Sequence, residues 1–155
     1  MNLLKIVFIA AMTALTCIAQ PGYASGACAV EKVKPLNNPC LKRDHHKFGK
    51  AHAVCNARIV APKGYFIMDS DTVVNFSGSN HIRSKNVTKI PYVGLKAGLQ
   101  KQFFAKTLHS SVSAWVECKR IRGYLARSTC TAAVRITAKA YPHACLNDLI
   151  RKALR

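Results

Sequence analysis

Three side chains in this sequence have the types that general acid and base chemistry needs. His81 and His109 titrate near neutral pH, so one could donate a proton and the other accept one, while Glu117 adds a further acceptor. With a lysine or arginine to stabilise a phosphorane, this set would equip a metal-independent ribonuclease. Nothing in the spacing requires the three side chains to meet, so they stand only as catalytic candidates.

A short string near the C-terminus, Tyr141-Pro142-His143 followed by Asn147, resembles a segment of the guanyl-specific microbial ribonucleases. Those proteins are small, secreted, disulfide-bonded and α+β, so the resemblance implies that fold class and RNA cleavage. The match covers few residues, and Leu149 stands where that family has a glutamate. We therefore transfer no catalytic role to these positions.

Three further histidines, His45, His46 and His52, lie between Cys40 and Cys55 and have the donor types of a zinc site. Such a site would need reduced cysteines, whereas an exported chain meets an oxidising compartment. We expect no metal and no cofactor.

Export is indicated by residues 1–24, which have the three-part layout of a cleaved secretory signal. A short n-region with Lys5 precedes an apolar run that is too short for a membrane span, and a polar stretch with small residues follows. We expect a secreted or periplasmic protein whose mature chain begins near Ser25. Sequons at Asn75 and Asn86 would accept glycans only in a source that glycosylates exported proteins.

Removal of the signal takes Cys17 with it and leaves an even number of cysteines. These are Cys28, Cys40, Cys55, Cys118, Cys130 and Cys145. In an exported chain they favour up to three disulfides, with fifteen connectivities that the sequence does not resolve. The first three and the last three have the same spacing, but the two stretches share almost nothing else, so we interpret the spacing as coincidence.

The formal net charge is +18, from 24 lysines and arginines against six acids. Such a field attracts polyanions and weakens as salt rises. The candidate binding residues lie around a predicted hairpin loop and at the C-terminus, and they are Lys119, Arg120, Arg122, Arg127, Arg151 and Lys152. A second basic group precedes them in the chain and comprises Lys42, Arg43, Lys47 and Lys50.

The identity of the anionic partner stays open at this stage. Trp115 and Tyr124 lie near the hairpin cations and could stack on nucleic-acid bases, although Trp115 also suits a contact under a helix. Anionic lipid, acidic glycan or a cell-envelope polymer satisfies the same charge, and a basic amphipathic C-terminal helix also suits a membrane surface. A specific protein receptor is a further candidate partner, and the oligomeric state is undefined.

The elements that must position these groups follow from apolar periodicity. Residues 25–50 predict an irregular basic arm, and residues 51–155 predict a single α+β domain. Short strands are predicted at 53–60, 65–69, 72–76 and 82–90, an amphipathic helix at 95–108, and a second helix at 143–155. Alternation at 112–118 and 130–138 predicts an antiparallel pair with one buried face, on which Cys118 and Cys130 could bridge.

The expected architecture is therefore α+β: a small antiparallel sheet packed by a central amphipathic helix and a C-terminal helix, and stapled by disulfides. The expected function is that of a secreted basic protein, effector-like or toxin-like, that binds an anionic target. Two alternatives stay open, a small secreted ribonuclease or other hydrolase that uses histidines, and a non-enzymatic structural protein of the cell envelope.

Overall fold

The structure is a computed structural model that describes Cys28 and residues 32–79, 81–123 and 125–153. Within these ranges the strands are β1 (Lys34–His46), β2 (Lys50–Val60), β3 (Tyr65–Met68), β4 (Val73–Gly78), β5 (Ile82–Pro91), β6 (Leu108–Ile121) and β7 (Ser128–Pro142). The helices are α1 (Leu99–Phe104) and α2 (Leu146–Ala153), with single turns of 3-10 helix at Asp69–Asp71 and His143–Cys145.

The strands form one nearly closed, barrel-like antiparallel sheet. On one side β6 lies between β5 and β2, and on the other β7 lies between β1 and β4. The short strand β3 pairs with both β6 and β7, so it joins the two layers at one end. The layers face each other across a single core.

Two β-arches define the opposite end of the barrel. β1 runs into β2 through residues 47–49, yet β1 pairs with β7 and β2 pairs with β6. β6 runs into β7 through residues 122–127 in the same way, so each connection crosses from one layer to the other. Each arch carries a disulfide between its two strands, Cys40–Cys55 in the first and Cys118–Cys130 in the second.

The core between the layers consists mostly of small side chains. Alternate residues of β2, β6 and β7 are buried, as strands with one face toward a core require. Alanines, valines and cysteines dominate this set, so the layers approach closely. At the two arch disulfides the Cα atoms are 5.8 and 5.9 Å apart.

Larger side chains gather at the end that carries β3 and the helices. Phe66, Leu108 and Leu146 are buried there, and the ring of Phe66 packs against the rings of Tyr92 and Tyr141. The third disulfide, Cys28–Cys145, fastens the N-terminal segment to the turn before α2. We call this the helix end.

The predicted α+β architecture is wrong. The helix expected at 95–108 is limited to α1, because Gly98 has φ 85° immediately before it and because Leu108 already begins β6. Leu95 and Phe104 instead pack against the cluster at the helix end. The C-terminal helix is present as α2, but it lies at the end of a mostly β structure.

The predicted direct pairing of residues 112–118 with 130–138 is also wrong. Both segments alternate as expected, and Cys118 does bond to Cys130, but β6 and β7 belong to opposite layers. Alternation fixes which face of a strand is buried and says nothing about which strand lies beside it.

The segment predicted as an irregular arm contains β1, which pairs with β7 along its whole length from Lys34 to His46. Its sequence has little apolar alternation and includes Pro35 and Pro39, which argued against a strand. β1 stands at the end of the strand order, where proline is tolerated because one edge of the strand has no partner. The shorter strands predicted at 53–60, 65–69, 72–76 and 82–90 correspond to β2, β3, β4 and β5.

The predicted signal at residues 1–24, with Cys17, lies outside the described residues. Helices in the described ranges are all too short or too polar to cross a membrane. The three disulfides are consistent with an oxidising or extracellular environment.

The first prediction concerns the close approach of β4 to β7. Gly78 has φ 140°, and a Cβ atom there would lie 2.2 Å from the Thr131 carbonyl oxygen. We expect Gly78→Ala to lower the free energy of unfolding by roughly 2 kcal/mol or more, measured by urea denaturation. Gly123→Ala is the matched control, because open space surrounds Gly123. Equal stability of the two variants would contradict the close approach.

The second prediction concerns the arch disulfides. Replacing Cys118 and Cys130 together by alanine should cost about 3 kcal/mol of stability and accelerate amide exchange at Gly49 and Arg122, whose N–H groups bond across the arches. The matched control removes the Cys28–Cys145 bridge at the helix end. Similar local acceleration in both double variants would show that Cys118–Cys130 does not hold the arches.

Candidate functional site

The two arches and the β4–β5 turn lie side by side at one end of the barrel. The Gly49 N–H donates to the Ala126 carbonyl (3.1 Å), and the Arg122 N–H donates to the Gly49 carbonyl (2.6 Å). Gly49 is buried with φ 67°, so a left-handed backbone is needed at this junction. The Lys119 N–H donates to the His81 carbonyl (3.1 Å), which attaches the third connection. We call the described residues 41–50, 79, 81–84, 117–123 and 125–127 the arch end.

The arch end is strongly cationic. Its lysines and arginines are Lys42, Arg43, Lys47, Lys50, Arg83, Lys119, Arg120, Arg122 and Arg127. All are exposed except Arg120, which is half-buried. Among the residues that the structure describes, none of them forms an ion pair with an acid. Their charge is therefore available to solvent and to a partner.

The acids described at this end, Asp44 and Glu117, are both occupied by hydrogen bonds. The Asp44 carboxylate accepts from the His52 backbone N–H (2.7 Å). The Glu117 carboxylate accepts from the Ser84 hydroxyl (2.9 Å) and from His52 Nε2–H (2.8 Å). The bond from Ser84, followed by that from His52, holds the pKa of Glu117 below its usual range. Glu117 therefore stays ionised and engaged. Arg83 is near enough to lower its pKa further through electrostatic attraction, but the two side chains form no direct ion pair in the described ranges.

A shallow depression of about 530 Å³ opens on this surface. Its lining is cationic and apolar together: His81, Arg83 and Lys119 alternate with Ile82 and Ile121. Such a lining suits an anionic group that carries an apolar portion.

The helix end differs in chemistry although it also carries lysines. Asp69 accepts hydrogen bonds from Lys89 Nζ and from His109 Nε2–H, the latter at 3.2 Å. The bond from Lys89 is the main reason that the pKa of Asp69 is lowered. Asp71 accepts from the Tyr141 hydroxyl, and burial together with that bond raises the pKa of Tyr141 to about 12. Acids thus neutralise part of the positive charge at this end.

The two ends also differ in their content of arginine. Five of the nine arginines lie at the arch end: Arg43, Arg83, Arg120, Arg122 and Arg127. Of the other described arginines, Arg58 lies in β2, Arg135 lies in β7 and Arg151 lies on α2. Because the guanidinium group matches phosphate and carboxylate with two parallel hydrogen bonds, this distribution favours the arch end as the anion site.

The structure brings the predicted binding residues together only in part. Lys119, Arg120, Arg122 and Arg127 share the arch end with the second basic group, which the sequence left as a separate patch. Arg151 is exposed on α2, at the opposite end. Lys152 is also in α2, but its side chain is not described.

The two catalytic histidine candidates are not brought together, whereas Glu117 lies in β6 two residues before Lys119, the backbone partner of His81. His81 is exposed at the arch end, whereas His109 is buried at the start of β6 and bonded to Asp69. His109 precedes Lys119, the backbone partner of His81, by ten positions of β6, so the two histidines are roughly 30 Å apart. A concerted acid and base step cannot use both.

Trp115 lies half-buried on the outer face of β6, opposite Asn56 of β2 and Asn86 of β5. Tyr124 lies outside the described residues. His45 and His46 are consecutive residues at the end of β1, and His52 lies in β2. In the described ranges no three histidine, cysteine or acidic side chains have the arrangement of a metal site.

Sequence reasoning missed Arg83 and the convergence of three connections. Arg83 lies at an irregular position of β5, between Ile82 and Ser84, where the register with β6 shifts. No local sequence pattern predicts the position of Arg83, because that position depends on the pairing of β5 with β6, which are far apart in the chain.

Comparison with known proteins yields no relative: the chain matches no protein-family model, no curated protein and no solved structure. The proposal below is therefore based on the geometry and chemistry of this chain alone.

The third prediction concerns Glu117. Because its folded pKa is depressed, its contribution to stability is present above the unfolded pKa and is lost as pH falls through the folded pKa. We expect NMR of the carboxyl carbon to give a pKa below the usual value of about 4.3, and Ser84→Ala to raise it. Ser70→Ala, at the helix end, should leave it unchanged. If the pKa of Glu117 in the Ser84→Ala variant equals that in the unmodified protein, the result would contradict the hydrogen bond from Ser84.

Proposed function

We propose that the protein is a secreted basic binding protein, effector-like or toxin-like, whose arch end binds an anionic target. The observation that carries this proposal is the convergence of three connections, which gathers unpaired lysines and arginines from distant parts of the chain on one surface. Three disulfides support a site of action outside the reducing cytoplasm.

Physical chemistry favours a polyanion over a small anion as the partner. The cations are spread over all three connections rather than enclosed in a deep cavity, and the depression beside them is shallow. A polymer or an extended surface with repeated negative charges would contact many of them at once and would release condensed counterions. Binding should therefore weaken steeply as salt rises.

His81 and His109 cannot form the acid and base pair of the alternative function, because they lie at opposite ends of the barrel. A ribonuclease or other hydrolase that uses other groups stays the alternative proposal. If the test below shows no binding of any anion, the result would favour the other alternative, a purely structural protein of the cell envelope.

The fourth prediction tests the arch end by charge reversal. Replacing Lys119, Arg120, Arg122 and Arg127 together by glutamate should reduce binding to heparin and to labelled RNA at low salt by about tenfold or more, because these four residues supply contacts to the polyanion. The measurements are the salt concentration at which heparin releases the protein and filter retention of RNA.

A matched control reverses four cations at the helix end, Lys63, Lys101, Lys106 and Arg151, and so gives the same net charge. We expect a much smaller loss in this variant. Equal losses would mean that total charge, and not the arch end, drives binding, and unchanged binding in the arch variant would overturn the proposal. Circular dichroism of both variants checks that each remains folded.

A further inference from the structure

We propose that the anionic target of the arch end is the surface of an anionic phospholipid bilayer, entered by apolar side chains that stand among the cations. This inference rests on the proposed function, since the same lysines and arginines supply the attraction. It adds a chemical class for the partner and a second kind of contact.

The arch end exposes large apolar side chains as well as charge. The exposed fractions are 87% for Leu125, 63% for Ile121, 54% for Phe48, 70% for Leu41 and 37% for Ile82. Leu125 and Phe48 lie in the arch connections themselves, and Ile121 and Ile82 lie at strand ends beside them. Five other large apolar side chains are exposed in the described ranges, and they lie outside the arch end: Val54, Val60, Val73, Ile90 and Val93. What distinguishes the arch end is that its exposed apolar side chains stand among many cations, which suits contact with a charged surface over an apolar phase.

Cations and apolar side chains are interleaved along the chain at this surface. Leu41 is followed by Lys42, Phe48 follows Lys47, Ile82 precedes Arg83, and Ile121 stands between Arg120 and Arg122. Leu125 lies two residues before Arg127. Cations and apolar side chains therefore alternate along each of the three connections, and together they give this end the mixed composition of an interfacial membrane-binding surface.

A bilayer surface uses both components, whereas a nucleic acid or an acidic glycan uses mainly the charge. Phosphate groups would meet the arginines at headgroup depth, while the aliphatic tips would enter the boundary with the acyl chains. Base stacking needs aromatic faces, but four of the five exposed apolar side chains are aliphatic. The depression with cations, Ile82 and Ile121 fits the same chemistry, a phosphate attached to an apolar chain.

The fifth prediction uses vesicles of phosphatidylcholine, with or without about 30% phosphatidylglycerol. The oxidised protein should co-sediment with the anionic vesicles and not with the neutral ones. Leu125→Gln should reduce this binding by about tenfold while binding to heparin stays within twofold, because all the cations are kept. Val93→Gln is the matched control: Val93 is 86% exposed, but it lies at the helix end.

A spectroscopic variant gives a positive signal for insertion. Leu125→Trp, made together with Trp115→Phe, should show a blue-shifted emission with anionic vesicles and quenching by brominated lipid. Val93→Trp in the same background should show neither.

The outcomes separate the two proposals. Retention of heparin or RNA without binding to anionic vesicles, or vesicle binding that Leu125→Gln leaves intact, would overturn the membrane inference and leave the polyanion proposal standing. Loss of all anion binding would overturn both. Binding to neutral and anionic vesicles alike would contradict the role given to the arginines.

Discussion

Two disulfides, Cys40–Cys55 and Cys118–Cys130, link the two layers of the barrel and set how closely these layers and their arches approach each other. They connect strands that share no backbone hydrogen bonds, across a core of small side chains that contributes less hydrophobic stabilisation than a core of leucine and phenylalanine would. Each bridge contributes on the order of 2–4 kcal/mol by restricting the unfolded chain. The close approach of the layers places the two arches beside each other, where Gly49 joins them.

The two disulfides between the layers also explain how so many positive charges are held close together at the arch end. Arginines and lysines from three connections repel one another at the arch end, and its two described acids are engaged with His52 and Ser84. Net charge of one sign destabilises a compact state through this repulsion. The disulfides offset the cost because they lie in the very strands that lead into the arches.

Local pattern predicted much of the secondary structure but not the topology. Alternation identified the buried faces of β6 and β7, and the even number of cysteines predicted three bridges. The neighbours of each strand depended on non-local pairing: β1, with Pro35 and Pro39, is recognisable as a strand only because β7 is available beside it. The repeated cysteine spacing, interpreted as coincidence, is not reflected in the pairing: Cys40–Cys55 joins the second and third cysteines of one set, whereas Cys118–Cys130 joins the first and second of the other.

Composition is the basis for proposing an anionic partner, and only the fold could show where the cations gather. Lys47 and Arg122 are far apart in the chain, and they share a surface because β1 and β2 turn beside β6 and β7. An anion that binds only the folded protein would relieve the charge repulsion at the arch end. Binding of such an anion would therefore raise the stability of the folded state. The arch end is therefore the region that an anionic partner should stabilise most, while the helix end, with its aromatic cluster and paired acids, already has internal compensation for its charge.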